Sequence, residues 1–323
     1  MYSLKKSLIG LCAALPILTG AYAADVVPAK TERIVVGYAP GGATDVIARF
    51  LATGLTNKLG KQVIVENKPG ASGMIGADQL SRAKPDGTSL LVAYISEASI
   101  NKLVHEKMPY DPETDLVPIA RMATAPLILA SGPKLNAHSF KELLARKDSS
   151  KPISYGSAGN GGQQHLAGEL LKMRTSMNML HVPYRGSALA VADVLGGQID
   201  VGFFSASPLL PHIKTGKIKP LFIAGPERQA LLPDVPTAEE VGLKNFDIST
   251  WFGVFGPKGM EPEVAEKIAK QVQSLLEDKE AVKVLTGQGL TASYLPPKEF
   301  RSFITAEMKK YSDIIEKAGV EKQ

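Results

Sequence analysis

Apolar residues recur along this chain in two alternating patterns. Short apolar runs at 33–38, 63–66 and 89–94, the first of them rich in β-branched residues, predict strands. Between these runs, apolar residues spaced three or four apart predict helices, such as the one that follows Gly41-Gly42 and ends at Gly60. This strand–helix–strand order is typical of a largely parallel sheet covered by helices, which places the chain in the α/β class.

A second series of the same kind follows in the middle of the chain. Its predicted strands lie at 153–157, 179–184, 199–204 and 218–224, and helices are predicted from about 163 and at 188–195. Two strands, at 116–122 and 126–130, precede this series, and one strand at 251–255 and charged amphipathic helices follow it. We therefore expect two lobes, one of residues 24–125 and 251–323 and one of residues 126–250. Two crossings between them would form a hinge beside a ligand cleft.

The first 23 residues have the features of a secretory signal. Lys5-Lys6 precedes an apolar stretch, and Ala21-Tyr22-Ala23 is a small-x-small cleavage site. Cleavage near Ala23 predicts an exported protein and removes Cys12, the single cysteine. The alternative is a lipoprotein anchored at Cys12, but the preceding Leu11 stands where a small residue would be expected.

Composition and charge exclude several classes of protein. The chain is 44% hydrophobic and 21% charged, which excludes a disordered chain and a membrane protein with many spans. The formal net charge of +5 falls to +3 once Lys5 and Lys6 are removed, and the basic residues of the remaining chain are scattered. We therefore predict no nucleic-acid partner.

Two glycine-rich loops follow predicted strands and open predicted helices, one in each series. The first runs YAPGGATD at 38–45, and the second runs SAGNGGQQH at 157–165. Glycines allow a tight turn, and the first turn of a helix has backbone N–H groups without partners, which can bind a small anion. The sequence thus indicates two anion-binding loops facing each other across the cleft. The alternative is a pair of strand-to-helix turns selected for their geometry alone.

Two further residues could contact a ligand in the second series. Arg185, after a predicted strand, could hold a carboxylate with two parallel hydrogen bonds. Asp200 could accept a hydrogen bond from a ligand hydroxyl or ammonium group. The alternatives are a solvated arginine and an internal cap.

Other kinds of chemistry have weaker sequence support. A dinucleotide fingerprint would need glycine where the chain has Gln164, and the chain contains no Gly-Lys-Ser/Thr phosphate loop. His165 and Glu169 are spaced as two metal ligands on a helix could be, but the other histidines do not complete a site. A hydrolase using Ser157 and His165 remains an alternative, although Tyr155 stands where a nucleophile elbow needs glycine. We predict no metal and no cofactor.

Six motifs occur in an order that resembles a known family. They are PGGATD at 40–45, VENKPGASG at 65–73, KPDGT at 84–88, SAGNG before HL, VPYRG at 182–186 and LPDVPT at 232–237. Together they resemble the Bug receptors, the TctC-type solute-binding proteins of tripartite tricarboxylate transporters, over nearly the whole exported chain. The resemblance implies a type II periplasmic-binding-protein fold, two α/β lobes joined by two crossover strands, that closes by hinge motion. It also implies a monomer in the periplasm that delivers a small carboxylate to the subunits of a membrane transporter.

The resemblance also implies which residues line the cleft. In the family, main-chain groups and ordered waters of the two loops hold a ligand carboxylate. Carried over to this sequence, the site residues from the first lobe are Tyr38, Ala39, Pro40, Gly41, Gly42, Thr44, Asp45 and Ser96. From the second lobe they are Ser157, Ala158, Gly159, Gly161, His165, Tyr184, Arg185, Gly186 and Asp200. For the distal end of the ligand, the candidates are Tyr38, Glu97, Phe203 and Trp251.

Two residues depart from the family pattern near the expected cleft. Ser72 stands where the family often has a second glycine, and Arg185 stands where lysine is also common. Both departures bear on ligand choice, which the sequence leaves open among citrate-like tricarboxylates, amino-acid dicarboxylates, nicotinate-like acids and aromatic dicarboxylates. A receptor that signals to a sensor protein, as well as or instead of supplying a transporter, is also left open.

Overall fold

A computed structural model of the chain describes residues 31–147, 149–318 and 322. The proposed secretory signal lies outside these residues. The model confirms the α/β class: ten strands form one hydrogen-bonded array, and helices cover its faces. Within the described residues, no helix is both long enough and apolar enough to cross a membrane.

The first part of the chain contains strands and helices in alternation. They are β1 (Arg33–Val36), α1 (Ala43–Leu59), β2 (Ile64–Asn67), α2 (Met74–Ser81), β3 (Ser89–Tyr94) and α3 (Asn101–Val104), with a 3-10 turn at Ala71–Gly73 and a π-helical turn at Ser96–Ile100. β1 pairs in parallel with both β2 and β3. These elements, together with the C-terminal ones described below, pack around one apolar cluster, and we call this part lobe 1.

The middle of the chain forms what we call lobe 2. Its elements are the last part of β4 (Leu116–Ser131), then α4 (Phe140–Leu144), β5 (Ile153–Ser157), α5 (Gln163–Thr175), β6 (Met179–Pro183), α6 (Ser187–Leu195), β7 (Val201–Phe204), α7 (Ala206–Lys214) and β8 (Lys219–Ala224). β5 pairs in parallel with β6 and β7. One apolar cluster, which includes Phe203 and Phe222, fills one face of this sheet, and a second cluster with Val191 and Leu209 fills the other.

The chain then returns to lobe 1. The returning elements are β9 (Ser249–Pro257), α8 (Pro262–Glu277), α9 (Lys279–Thr286), β10 (Thr291–Leu295) and α10 (Pro297–Ala318). β9 pairs antiparallel with β3 on one side and with β4 on the other. In α8, Ile268, Val272 and Leu275 face the lobe 1 cluster, which explains the amphipathic pattern of its sequence.

Strand β4 connects the two lobes. Its first part, as far as Pro126, pairs with β9 and β10, and its last residues, from Leu127, pair with β7 and β8. The prediction of two separate strands here was wrong. The partner strand β9 continues alongside residues 123–125, so the backbone stays extended and shows only register shifts between Pro118 and Ala120 and between Arg121 and Ala123.

Five of the described helices and strands were not predicted from the sequence: α3, α4, α7, α9 and β10. Helix α7 contains Pro208 and Pro211, which weaken a helical signal. The amphipathic helices α8 and α10 were expected, but between them Asp278 caps the separate helix α9, and the short strand β10 follows it. β10 forms because its backbone pairs with β4, which also pairs with β9.

Candidate functional site

A cavity that opens to solvent lies between the two lobes, with about 360 Å³ of empty space when the adjoining open solvent is included. Its wall is formed by Tyr38, Gly42, Ala43, Thr44 and Tyr94 from lobe 1, by Ala158, Gln163, Gln164, Ser187 and Ser205 from lobe 2, and by Leu127, Thr250 and Phe252 from the strands that join them. None of these described lining residues carries a carboxylate, an ammonium, a guanidinium or an imidazole group. The cavity is therefore electrically neutral in its side chains.

Four helices begin at the wall of this cavity. The lining residues at their starts are Ala43 and Thr44 of α1, Gln163 and Gln164 of α5, Ser187 of α6, and Ser205, the N-cap of α7. In these four described helices the N-cap side chain accepts no hydrogen bond from the first turn. Unpartnered N–H groups and the positive ends of helix dipoles favour an anion at this position.

The aromatic part of the wall comes from lobe 1. The ring centroids of Tyr38 and Tyr94 are 5.2 Å apart, and those of Tyr94 and Phe252 are 6.1 Å apart. Burial raises the pKa of Tyr94 to about 12 and that of Tyr38 well above its usual value, so both hydroxyls stay protonated at neutral pH. Tyr38 donates its hydroxyl proton to the Ser72 carbonyl oxygen at 2.9 Å, which fixes the ring beside the cavity.

Asp45 supports the first glycine loop from behind. Its carboxylate accepts hydrogen bonds from the Gly41 backbone N–H at 3.0 Å, from Arg49 Nε at 2.9 Å and from Asn67 Nδ2 at 3.0 Å. Burial opposes ionisation of Asp45, but the hydrogen bonds from Arg49, Gly41 and Asn67 outweigh it and hold the pKa of this carboxyl below its usual value. The carboxylate therefore stabilises the loop conformation, in which Gly41 has a positive φ of 93°.

Two stacked histidines support the second glycine loop. The rings of His165 and His181 are 3.8 Å apart, with an interplanar angle of 12°. His165 Nδ1 accepts a hydrogen bond from the Gly161 backbone N–H at 3.1 Å, and His181 Nε2 lies 2.7 Å from Ser157 Oγ. Burial lowers the pKa of His165 and, with the charge of His165 as a second cause, lowers the pKa of His181 to about 3. Both rings are therefore neutral at physiological pH.

The two loops also hold the lobes together through direct contacts. The Ala39 backbone N–H donates to the Arg185 carbonyl oxygen at 3.0 Å, and the Gln163 N–H donates to Ser96 Oγ at 3.1 Å. Ser72 Oγ donates to the Asn160 carbonyl oxygen across the cleft. The structure therefore has the lobes in contact around the cavity.

The residues predicted for the site occupy three kinds of position. Those that line the cavity are Tyr38, Gly42, Thr44 and Ala158. Those that support the loops or join the lobes are Ala39, Gly41, Asp45, Ser96, Ser157, Gly159, Gly161, His165 and Gly186. Pro40 is exposed at the turn of the first loop.

The structure does not bring three of the predicted side chains to the cavity. Asp200 precedes β7, at the opposite end of the sheet, where its carboxylate accepts from the Ser154 backbone N–H at 2.8 Å. Arg185 contributes its backbone carbonyl, while its side chain is exposed. The Tyr184 hydroxyl donates to Asp193 at 2.6 Å within lobe 2. Each of these residues has a local partner or solvent, which corrects the prediction that it faces the ligand.

Three residues that were predicted to contact the distal end of a ligand also lie away from the cavity. Phe203 packs in the core of lobe 2, and Trp251 packs edge-on against Phe300 in lobe 1. Glu97 is completely buried behind Tyr38 and Tyr94, and burial raises the pKa of its carboxyl to about 8. The sequence could not assign the orientations of Phe203 and Trp251, because strands buried on both faces show no polar alternation.

The sequence analysis missed several lining residues. They are Ala43, Tyr94, Leu127, Gln163, Gln164, Ser187, Ser205, Thr250 and Phe252. Gln163 and Gln164 lie within the second glycine-rich loop, and Ser187 directly follows Gly186, but the family resemblance did not assign them to the site. Thr250 and Phe252 flank the residue that was chosen, Trp251, and neighbouring strand residues point to opposite faces.

The geometry does not favour the hydrolase alternative. Ser157 is paired with His181 rather than His165, is 0% exposed and is not among the residues that line the cavity. A nucleophile must reach its substrate, and this hydroxyl instead binds the Gly159 backbone. Among the described residues, no group of three or more histidine, cysteine or acidic side chains could hold a metal ion.

Comparisons with known proteins agree on one family. The model of the tripartite tricarboxylate transporter family receptor matches residues 47–320. Protein BugT of Bordetella pertussis is 33% identical over 315 residues, which cover 97% of this chain and 97% of that protein.

Three solved structures are similar along almost their whole length. The periplasmic binding protein BugD has a TM-score of 0.86 at 33% identity, with 90% of this chain and 98% of that chain covered. A protein of R. palustris with adipate has a TM-score of 0.88 at 26% identity, covering 91% and 99%. MatC from Rhodopseudomonas palustris with bound malate has a TM-score of 0.83 at 27% identity, covering 88% and 99%.

Proposed function

This chain belongs to the tripartite tricarboxylate transporter receptor family, whose members are solute-binding receptors, and we propose that it captures a small carboxylate in the cavity between its lobes. The observation that carries the proposal is the convergence on one neutral cavity of four helix N-termini, none of which is capped by its own N-cap side chain. Backbone N–H groups bind a carboxylate without a cationic side chain. The bound adipate and malate of the two R. palustris relatives support this ligand class.

We further propose a division of the chain that matches this function. Residues 1–23 are the secretory signal, cleaved near Ala23, and the exported monomer works in the periplasm. Residues 24–125 and 251–323 form one lobe, and residues 126–250 form the other. The lobes close on the ligand by hinge motion, and the closed receptor delivers its ligand unchanged to a membrane transporter of the tripartite kind.

A thermal-shift experiment tests the binding proposal. The mature protein is unfolded and refolded to remove ligand carried through purification, and is then heated with a panel of mono-, di- and tricarboxylates. A ligand at 100 times its Kd stabilises the folded state by about 2.7 kcal/mol, which raises the Tm of a chain of this size by roughly 4 °C. The matched controls are the methyl esters, which keep the carbon skeleton but remove the charge.

The outcomes of this screen separate the two classes of function. We expect Tm increases for carboxylates and none for their esters, with the ligand recovered unchanged by mass spectrometry. Turnover of an ester or amide would instead support an enzyme. If no carboxylate raises the Tm of the well-folded, ligand-free protein, the binding proposal is wrong. Delivery is tested separately, by carboxylate uptake into vesicles that contain the transporter subunits, with and without the receptor.

A further inference from the structure

Helix α5 of lobe 2 has apolar side chains in the clusters of both lobes. Ala167, Leu170 and Leu171 pack in a lobe 2 cluster. Leu166 instead packs in the lobe 1 cluster, although it belongs to lobe 2, and it is only 1% exposed. Separation of the lobes would move this apolar side chain from a protein interior into water, which is unfavourable. Leu166 therefore favours the arrangement in which the lobes are in contact.

Gln163 lies one turn before Leu166 and is hydrogen-bonded outside lobe 2. Its backbone N–H donates to Ser96 Oγ at 3.1 Å, and its Nε2 donates to the Ser249 carbonyl oxygen at 3.0 Å and to the Tyr311 hydroxyl at 2.7 Å. The Ser249 carbonyl can only accept, which fixes the orientation of the amide group. Gln163 is 0% exposed, so these bonds are shielded from water. Ser96 and Tyr311 thus tie the start of α5 to lobe 1.

Tyr311 is held in position by the C-terminal helix α10. Phe300, Ile304 and Tyr311 all pack in the lobe 1 cluster. Their spacings of four and seven residues place them on one face of the helix. Neither Tyr311 nor Leu166 is among the described residues that line the cavity. Tyr311 is therefore a fixed acceptor for Gln163 that takes no part in the wall of the ligand site.

We infer that Tyr311, Gln163 and Leu166 form a latch that holds the lobes closed, so that the C-terminal helix sets the affinity for a ligand that it does not contact. Tyr311 and Leu166 are positioning residues, because they hold α5 against lobe 1 and the first residues of α5 line the cavity. The inference rests on the proposed function, since it requires a receptor that closes on its ligand.

A latch of this kind acts on all ligands alike. A receptor that is open before it binds must close to hold its ligand, so the equilibrium between open and closed lobes enters the measured Kd. A weaker latch multiplies the Kd of every carboxylate by the same factor, whereas a side chain that contacts the ligand affects different carboxylates unequally. Dissociation requires opening, so a weaker latch also raises the dissociation rate.

Calorimetric titration and stopped-flow dissociation of two variants test the inference. The probes are adipate and malate, together with each carboxylate of the thermal-shift panel that raises the Tm. Tyr311→Phe keeps the ring but leaves one N–H of Gln163 without its acceptor in the closed state, so the Kd should rise about fivefold or more. Leu166→Ala removes apolar contact between the lobes, so the Kd should rise roughly tenfold or more. Within each variant, the factor should agree within about twofold for all probes.

Leu170→Ala is the matched control. It is the same substitution one turn later in α5, but Leu170 packs in the cluster of its own lobe. We expect it to lower the Tm of the ligand-free protein, because a core leucine is lost, and to keep the wild-type Kd and dissociation rate. Binding is measured at a temperature at which circular dichroism shows that every variant is folded.

Each outcome has a distinct meaning. Increases in Kd and dissociation rate in both latch variants, equal for all probes and absent from the control, support the latch. If the wild type binds and both variants keep its Kd and dissociation rate, the receptor function stands and the latch is overturned. An increase confined to one of several bound probes, or an equal increase in Leu170→Ala, also overturns it. If no carboxylate binds the wild type, the proposed function fails, and the latch inference fails with it.

Discussion

Ser72 joins the lobes from an unusual backbone conformation. It has a φ of 49° and a ψ of 41°, in the left-handed region that non-glycine residues rarely adopt. Its carbonyl oxygen accepts hydrogen bonds from Tyr38 Oη at 2.9 Å and Asn101 Nδ2 at 2.9 Å, which hold the backbone in place. Its hydroxyl then reaches the Asn160 carbonyl of lobe 2. We therefore expect Ser72 to stabilise the closed arrangement of the lobes.

Two substitutions at this position separate the hydrogen bond from the backbone strain. Ser72→Ala and Ser72→Gly both remove the interlobe bond, worth about 0.5–1.5 kcal/mol, so both should raise the Kd of the bound carboxylate about 2- to 13-fold. Glycine also removes a left-handed strain of about 1–2 kcal/mol, so the glycine variant should have the higher Tm of the two. Affinity falls equally in both variants, while stability differs between them.

The assay combines calorimetry, stopped-flow dissociation and small-angle scattering. We expect the loss of affinity to appear mainly as faster dissociation, and the ligand-bound variants to have a larger radius of gyration than the wild type. Ser81→Ala is the matched control, because it removes a serine hydroxyl bonded to a backbone carbonyl at 2.9 Å in lobe 1, away from the cleft. Wild-type Kd and dissociation rate in both Ser72 variants would refute this role of Ser72.

Three further predictions concern closure and buried titratable groups. Gly159→Ala would place a Cβ 2.5 Å from Ser72 Oγ and 3.0 Å from the Ser72 backbone. We expect its Kd to rise roughly tenfold or more in calorimetry, whereas Gly196→Ala should bind normally, and equal affinities would contradict the steric argument. Because the pKa of His181 is about 3 in the folded protein, the unfolded chain takes up the proton first, so stability should fall as the pH decreases from 6.5 towards 3. Urea unfolding should show a smaller decrease for His181→Gln, and an equal decrease would exclude this group as a cause. The pKa of Glu97 is about 8, so its contribution to stability should fall as the pH rises from 4.5 through 8, and a Glu97→Gln variant that keeps the wild-type pH slope would contradict this.

The sequence was sufficient to predict the alternation of strands and helices and the positions of the two glycine loops. Strand β5 and the start of α5 lie where the pattern placed them, because a short strand-like run, a glycine turn and a helical spacing of apolar residues each leave a local signal. The motifs around these loops also led to the correct family. Local signals were enough wherever neighbouring residues determine the structure.

Side-chain direction in the central strands could not be predicted in this way. β9 is buried along almost its whole length, so its sequence does not distinguish the face of Trp251 from the face of Thr250 and Phe252. Asp200 was expected at the cleft because of its hydrogen-bonding chemistry and the family resemblance, but the direction of β7 puts it at the far edge, bonded to Ser154. Such assignments depend on the pairing of distant strands.

The distribution of the helix N-termini between the lobes has a consequence for release of the ligand. α1 belongs to lobe 1, whereas α5, α6 and α7 belong to lobe 2, so under the proposed function a carboxylate would contact all four only while the lobes touch. When the lobes separate, the ligand loses the backbone N–H donors of one lobe, and water competes for the N–H donors of the other lobe. Because the described wall has no ionised side chain, opening breaks no ion pair. A partner protein that binds the outer surfaces of both lobes would therefore change the affinity for the ligand by changing the distance between the lobes, without contacting the ligand.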